Sequence, residues 1–121
     1  MTILGIAHVQ VGITHAGEAL ARRFYGELLG LVEVPKPESL AGRGGAWFAC
    51  GAQQIHCGVE AEVAPGRRHP ALLTDGLDAL RARLEAAGVR TSDEPPIPGY
   101  RRFYGYDPFG NRVEFLEAVR D

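Results

Sequence analysis

Tyr106-Asp107-Pro108-Phe109-Gly110-Asn111-Arg112-Val113-Glu114-Phe115 reads as a tight turn leading into a strand. Proline pre-sets its own backbone angle, and aspartate bonds the backbone just downstream, so Asp107-Pro108 opens the turn. Gly110-Asn111 closes it with residues that tolerate left-handed geometry. From Arg112 to Ala118 side chains alternate, so Val113 and Phe115 share one face and Glu114 takes the other. Upstream, Arg102–Tyr106 and Val89–Ser92 read as strands. Before them, Leu77, Leu80 and Leu84 form the apolar stripe of a helix that Asp75 can cap and Gly88 ends. His69–Thr74 reads as the strand that opens this half. The order is one strand, one helix and three strands.

The first half has the same order. Ile6–Ile13 alternates as a strand, with Ala7, Val9, Val11 and Ile13 on one face and Ile6, His8, Gln10 and Gly12 on the other. A helix follows, with Leu20, Phe24 and Leu28 as its stripe and Gly30 as its stop. Leu31–Val34, Ala46–Cys50 and Gln54–Glu60 are the next strands. The spacing predicts a single domain over residues 1–121, with module one at 1–60, a linker at 61–68 containing Pro65-Gly66, and module two at 69–121. Each half alone is too small to bury much apolar area, so the two are expected to share one sheet system.

Composition narrows the function classes. A formal net charge of −2 gives no electrostatic footprint for nucleic acid, and no apolar run is long enough to span a bilayer. Met1-Thr2-Ile3-Leu4-Gly5 lacks the basic region and apolar stretch of a signal peptide, so a cytoplasmic location is expected. Cys50 and Cys57 are the only cysteines, too few for a disulfide framework, and are expected to be reduced. There is no phosphate-binding glycine loop, and no serine sits in a nucleophile elbow.

Three segments carry a family resemblance. Ile6-Ala7-His8-Val9-Gln10-Val11 is similar to the opening strand of the vicinal-oxygen-chelate superfamily, which includes glyoxalase, bleomycin-resistance and extradiol-dioxygenase proteins. Phe24-Tyr25-Gly26-Glu27-Leu28-Leu29-Gly30-Leu31 resembles its first-helix signature, and Tyr106–Phe115 its closing hairpin. The resemblance covers nearly the whole chain. It implies an α+β fold of two βαβββ modules, forming curved mixed sheets around a cavity.

His8, His56, His69 and Glu114 stand out as candidate metal ligands. His8 and His69 open the first strands of the two modules, while His56 and Glu114 lie in the last strands. Alternation puts His8, His56 and Glu114 opposite their apolar neighbours; for His69 the pattern does not discriminate. Imidazole and carboxylate together suit a borderline divalent ion, namely zinc, nickel, cobalt, manganese or iron. The resemblance maps His8, His69 and Glu114 onto the commonest ligand triad and His56 onto a fourth position. A glyoxalase I would carry a glutamate where His56 stands, so proton shuttling between two glutamates is not expected here. Glu114 and His56 are the candidate catalytic groups. Gln10, Trp47, Arg102 and Tyr104 are candidate substrate-binding residues, with Arg102 suited to an anionic group. His15, in a loop, is read as surface.

The resemblance implies a divalent-metal-dependent enzyme of lyase, isomerase, thiol-transferase or dioxygenase type, acting on a small oxygen-rich molecule. The alternative is a metal-free sequestration protein of the bleomycin-resistance kind. Sheet edges that need cover make a homodimer the expected assembly.

Overall fold

A computed structural model describes residues 1–119 of the chain. The strands form two four-stranded mixed sheets, one in each of two compact units, Met1–Val63 and Ala64–Asp121. The division falls within the 61–68 segment.

In the first unit, β1 (His8–Ile13), β2 (Val32–Val34), β3 (Ala46–Cys50) and β4 (Gln53–Val59) are arranged in the order β1-β4-β3-β2. β1 runs parallel to β4; the other pairs are antiparallel. Val11, Ile13, Ala46, Phe48, Ile55 and Cys57 are buried, as alternation along the three strands requires. The helix lies between β1 and β2. It begins as α1 (Glu18–Ala21) and continues as a π-helix over Arg22–Leu28. There Leu29 N–H reaches the Phe24 carbonyl at 3.0 Å, five residues back instead of four. Ala21, Phe24, Tyr25 and Leu28 face inward, and Tyr25 packs on Phe48 with ring centroids 5.9 Å apart. The expected stripe therefore needs correction at Leu20, which is 53% exposed. The buried face is centred one residue further along, where Ala21 starts it. Gly30, at φ 76°, ends the helix as expected.

In the second unit, β5 (Ala71–Leu73), β6 (Thr91–Ser92), β7 (Tyr100–Tyr106) and β8 (Arg112–Ala118) follow the order β5-β8-β7-β6. Here α2 (Leu77–Ala86) buries Leu77 and Leu84, and Phe103, Val113 and Phe115 are buried with them. The Asp107 carboxylate accepts the backbone N–H groups of Phe109 and Asn111 at 2.9 and 2.8 Å and the Asn111 side-chain amide at 2.8 Å. This turn sets the β7–β8 register, which places Tyr104 opposite Glu114.

The two units share strand order and strand directions. Trp47 and Gln10 flank His56 in the first sheet as Tyr104 and Ala71 flank Glu114 in the second. Two expectations are corrected. Among the described residues the strands form two separately hydrogen-bonded sheets, one in each unit, where one shared system was expected. His69 also lies before β5 instead of opening it. Pro70 has no N–H to donate to a ladder, and its carbonyl accepts the Glu114 N–H at 3.0 Å.

Candidate functional site

In the first unit His56 lies at the middle of β4, buried with 5% exposure. Its ring is parallel to the Trp47 indole, with centroids 3.8 Å apart and planes 3° apart. His8 covers the opposite face at 3.9 Å and 16°. The His56 Nε2–H donates to Gln54 Oε1 at 2.8 Å. Burial lowers the His56 pKa below its ordinary value, and the neighbouring His8 lowers it further, so the fold favours the neutral ring. His8 itself is exposed, at the start of edge strand β1. Gln10 is also exposed, and its amide lies over the Cα of Gly58, in space that a larger residue there would fill.

In the second unit His69 and Glu114 meet directly. His69 Nε2 lies 2.9 Å from Glu114 Oε1, and its Nδ1 lies 2.8 Å from the Arg67 carbonyl. Glu114 is buried, with 6% exposure. Its other oxygen is 3.6 Å from Arg102 Nη1. The Arg102 guanidinium donates twice to the Pro95 carbonyl, at 2.9 and 2.7 Å, and once to the Tyr104 hydroxyl at 3.2 Å. Tyr104 is buried beside His69, with ring centroids 5.0 Å apart. Arg102 thus spans Pro95, the phenol and the carboxylate.

A carbonyl oxygen only accepts, so Nδ1 is the nitrogen of His69 that carries hydrogen. In a neutral ring, Nε2 then turns its lone pair toward an acceptor, the Glu114 carboxylate. Two acceptors this close need a second proton or a cation between them. A borderline divalent ion fits that donor set, because imidazole nitrogen and carboxylate oxygen are both among its usual ligands. The Arg67 carbonyl already holds the far nitrogen, as is usual for metal-binding histidines. Among the described residues no group of three His, Cys, Asp or Glu side chains is set to hold an ion. The four candidates stand as two pairs, His8 with His56 and His69 with Glu114.

Sequence reasoning missed Gln54, Arg112 and the Arg67 carbonyl. Arg112 donates to that same carbonyl at 2.9 Å, and its guanidinium lies 4.7 Å from the Tyr104 ring centre. Strand parity held a signal for two of these: Gln54 is in phase with His56, and Arg112 with Glu114. Nothing in the sequence marked the Arg67 carbonyl.

A family model described as the Glyoxalase/Bleomycin resistance protein/Dioxygenase superfamily matches residues 5–115. The chain belongs to this superfamily. Within it, a solved protein from Bacillus anthracis, described as of the glyoxalase family, is similar at 47% identity and TM-score 0.91, covering 98% of each chain. The fosfomycin resistance protein FosX from Listeria monocytogenes, solved with Mn(II) and sulfate, has TM-score 0.77 at 18% identity, covering 98% of this chain and 93% of its own. A glyoxalase/dioxygenase from Nostoc punctiforme has TM-score 0.77 at 21% identity, covering 99% of both chains. The last two likenesses are of fold. Among proteins with curated functions, none matches the sequence.

Proposed function

We propose that the chain is a divalent-metal-dependent enzyme of the superfamily, acting on a small oxygen-rich molecule, with His8, His69 and Glu114 as its ligands. The observation that carries this reading is the His69–Glu114 contact: a histidine oriented by a backbone carbonyl faces a buried carboxylate at 2.9 Å. The Mn(II) in FosX supports a metal on this fold. A bound ion supplies Lewis acidity toward two neighbouring substrate oxygens.

The protein's own residues do the rest. Glu114 provides the carboxylate of the set, and Arg102 holds it from the far side. Arg102 also gives the region positive charge, which favours an anionic group on the substrate. Tyr104 and Trp47 offer apolar walls.

The reading includes a homodimer. Edge strand β5 carries exposed Leu73, and Ile3, Leu4 and Ile6 are exposed ahead of edge strand β1, so both edges favour cover by a second copy. It also includes a cytoplasmic location, which two free cysteines support. No helix among the described residues is long and apolar enough to cross a membrane.

Elemental analysis of untagged protein purified without chelators tests the proposal, followed by titration with zinc, nickel, cobalt, manganese and iron. One ion per chain is expected. If none of these ions binds, the metal reading fails and sequestration of a small molecule becomes the better account.

A further inference from the structure

His56 is the most confined of the four candidate residues, and its confinement has a geometry. A histidine binds a metal through a nitrogen lone pair that lies in the ring plane. For two histidines to share an ion, their ring planes must meet at the ion, about 2.0–2.1 Å from each nitrogen. The planes of His8 and His56 are only 16° apart, and their centroids are separated by 3.9 Å in a face-to-face stack. Planes so nearly parallel meet far beyond that bond length. In this arrangement the two rings cannot bind one ion together.

His56 makes two further contacts. Trp47 covers its second face at 3.8 Å, and Gln54 takes the Nε2–H. His8 has the opposite situation. It is exposed on an edge strand, and the face against His56 is the ring contact the structure gives it. An exposed imidazole samples several rotamers, and ligation must freeze them at an entropic cost. A fixed flat platform removes part of that cost beforehand.

We propose that His56 is a positioning residue: the Trp47–His56 stack fixes the ring plane of His8 so that His8 alone supplies the first unit's nitrogen to the metal. This rests on the metal reading above and assigns His56 a part different from fourth ligand. Aromatic faces are what the role requires of residue 56; a nitrogen is not.

The test is calorimetric titration of the untagged full chain with zinc, comparing wild type, His56→Phe, His56→Ala and Glu114→Gln. Phenylalanine keeps both faces and has no nitrogen. His56→Phe should stay within about threefold of wild-type affinity. His56→Ala should weaken binding by about tenfold or more, the range seen when a residue that orients a ligand is lost. Equal losses in the two His56 variants would show that the nitrogen matters and would overturn the proposal. Wild-type affinity in both would also overturn it. In either case loss of binding in Glu114→Gln shows that the metal centre stands. If wild type takes up no zinc, nickel, cobalt, manganese or iron, the metal reading and this inference fall together.

Substitution at a buried site can spoil folding, so the unaltered protein supplies a second measurement. In protein labelled with nitrogen-15 in its histidine rings, zinc should displace a ring nitrogen resonance of His8 and leave the Nε2–H of His56 in place. A zinc-shifted nitrogen on His56 would overturn the assignment.

Discussion

A carboxylate as buried as that of Glu114 is costly to keep charged unless cations or donors stand close to it. Arg102 takes that place at 3.6 Å from one oxygen, and His69, 2.9 Å from the other, does so once its ring holds a second proton. Replacing Glu114 with Gln removes the only acid among the four candidates. Metal affinity should fall by about tenfold or more, whereas His15→Gln, on an exposed loop residue, should leave it unchanged; calorimetry compares the two. Arg102→Lys tests the other side. A lysine cannot reproduce the two bonds that the guanidinium gives the Pro95 carbonyl. Stability should drop by about 1 kcal/mol in urea unfolding, and amide exchange should quicken through residues 93–99. Much of this site was legible in the residues themselves. Parity alone set Glu114 and His56 opposite their apolar neighbours. The stacking of Trp47 on His56 was not legible, because strand parity gives a side chain's face but not which residue on the next strand lies beside it. That depends on register, which the turns and the fold decide.

At the scale of elements, the strands were readable wherever alternation was strict. Ala46–Cys50 and Arg112–Ala118 form as the pattern predicts. Reading was poorer where local chemistry competed with the pattern. The π-helix between Arg22 and Leu28 keeps an apolar face but leaves Leu20 outside it, and propensity has no term for such widening. The long connection between β2 and β3 includes a 3-10 helix, Glu38–Arg43, that its glycines and prolines concealed. One side chain closes this connection onto α1. The Glu18 carboxylate accepts the Gly45 N–H at 3.0 Å, and that bond, more than nearby Arg22, holds its pKa below the ordinary value. A lowered carboxylate pKa means stabilisation that is complete above the unfolded value, about 4.3. It disappears as pH falls through the folded value. Glu18→Gln should therefore cost stability near pH 7, by less than about 1 kcal/mol because solvent reaches the group. The gap from wild type should close below about pH 4. Thermal melts of both proteins across that range would show whether it does.

For the whole molecule, the proposed metal reading can be tested for whether its ligands come from one chain or from two. If the His8 of one copy serves the His69 and Glu114 of another, two defective chains can repair each other. Mixing His8→Gln with Glu114→Gln, with brief unfolding and refolding to exchange subunits, would then restore part of the metal binding that each lacks alone. Assembly of the site within one chain predicts no recovery. Equilibrium dialysis against zinc separates the outcomes. The repeated strand order also bears on heredity. Positions 56 and 114 occupy the same place in their sheets, as do 47 and 104. Were the two units separate copies of one short chain, every substitution would appear in both places at once, and no change could make one copy a ring stack without doing the same to the other. Because a single chain carries both, each position changes alone. That freedom lets one repeat keep a buried acid while the other becomes a column of aromatic rings.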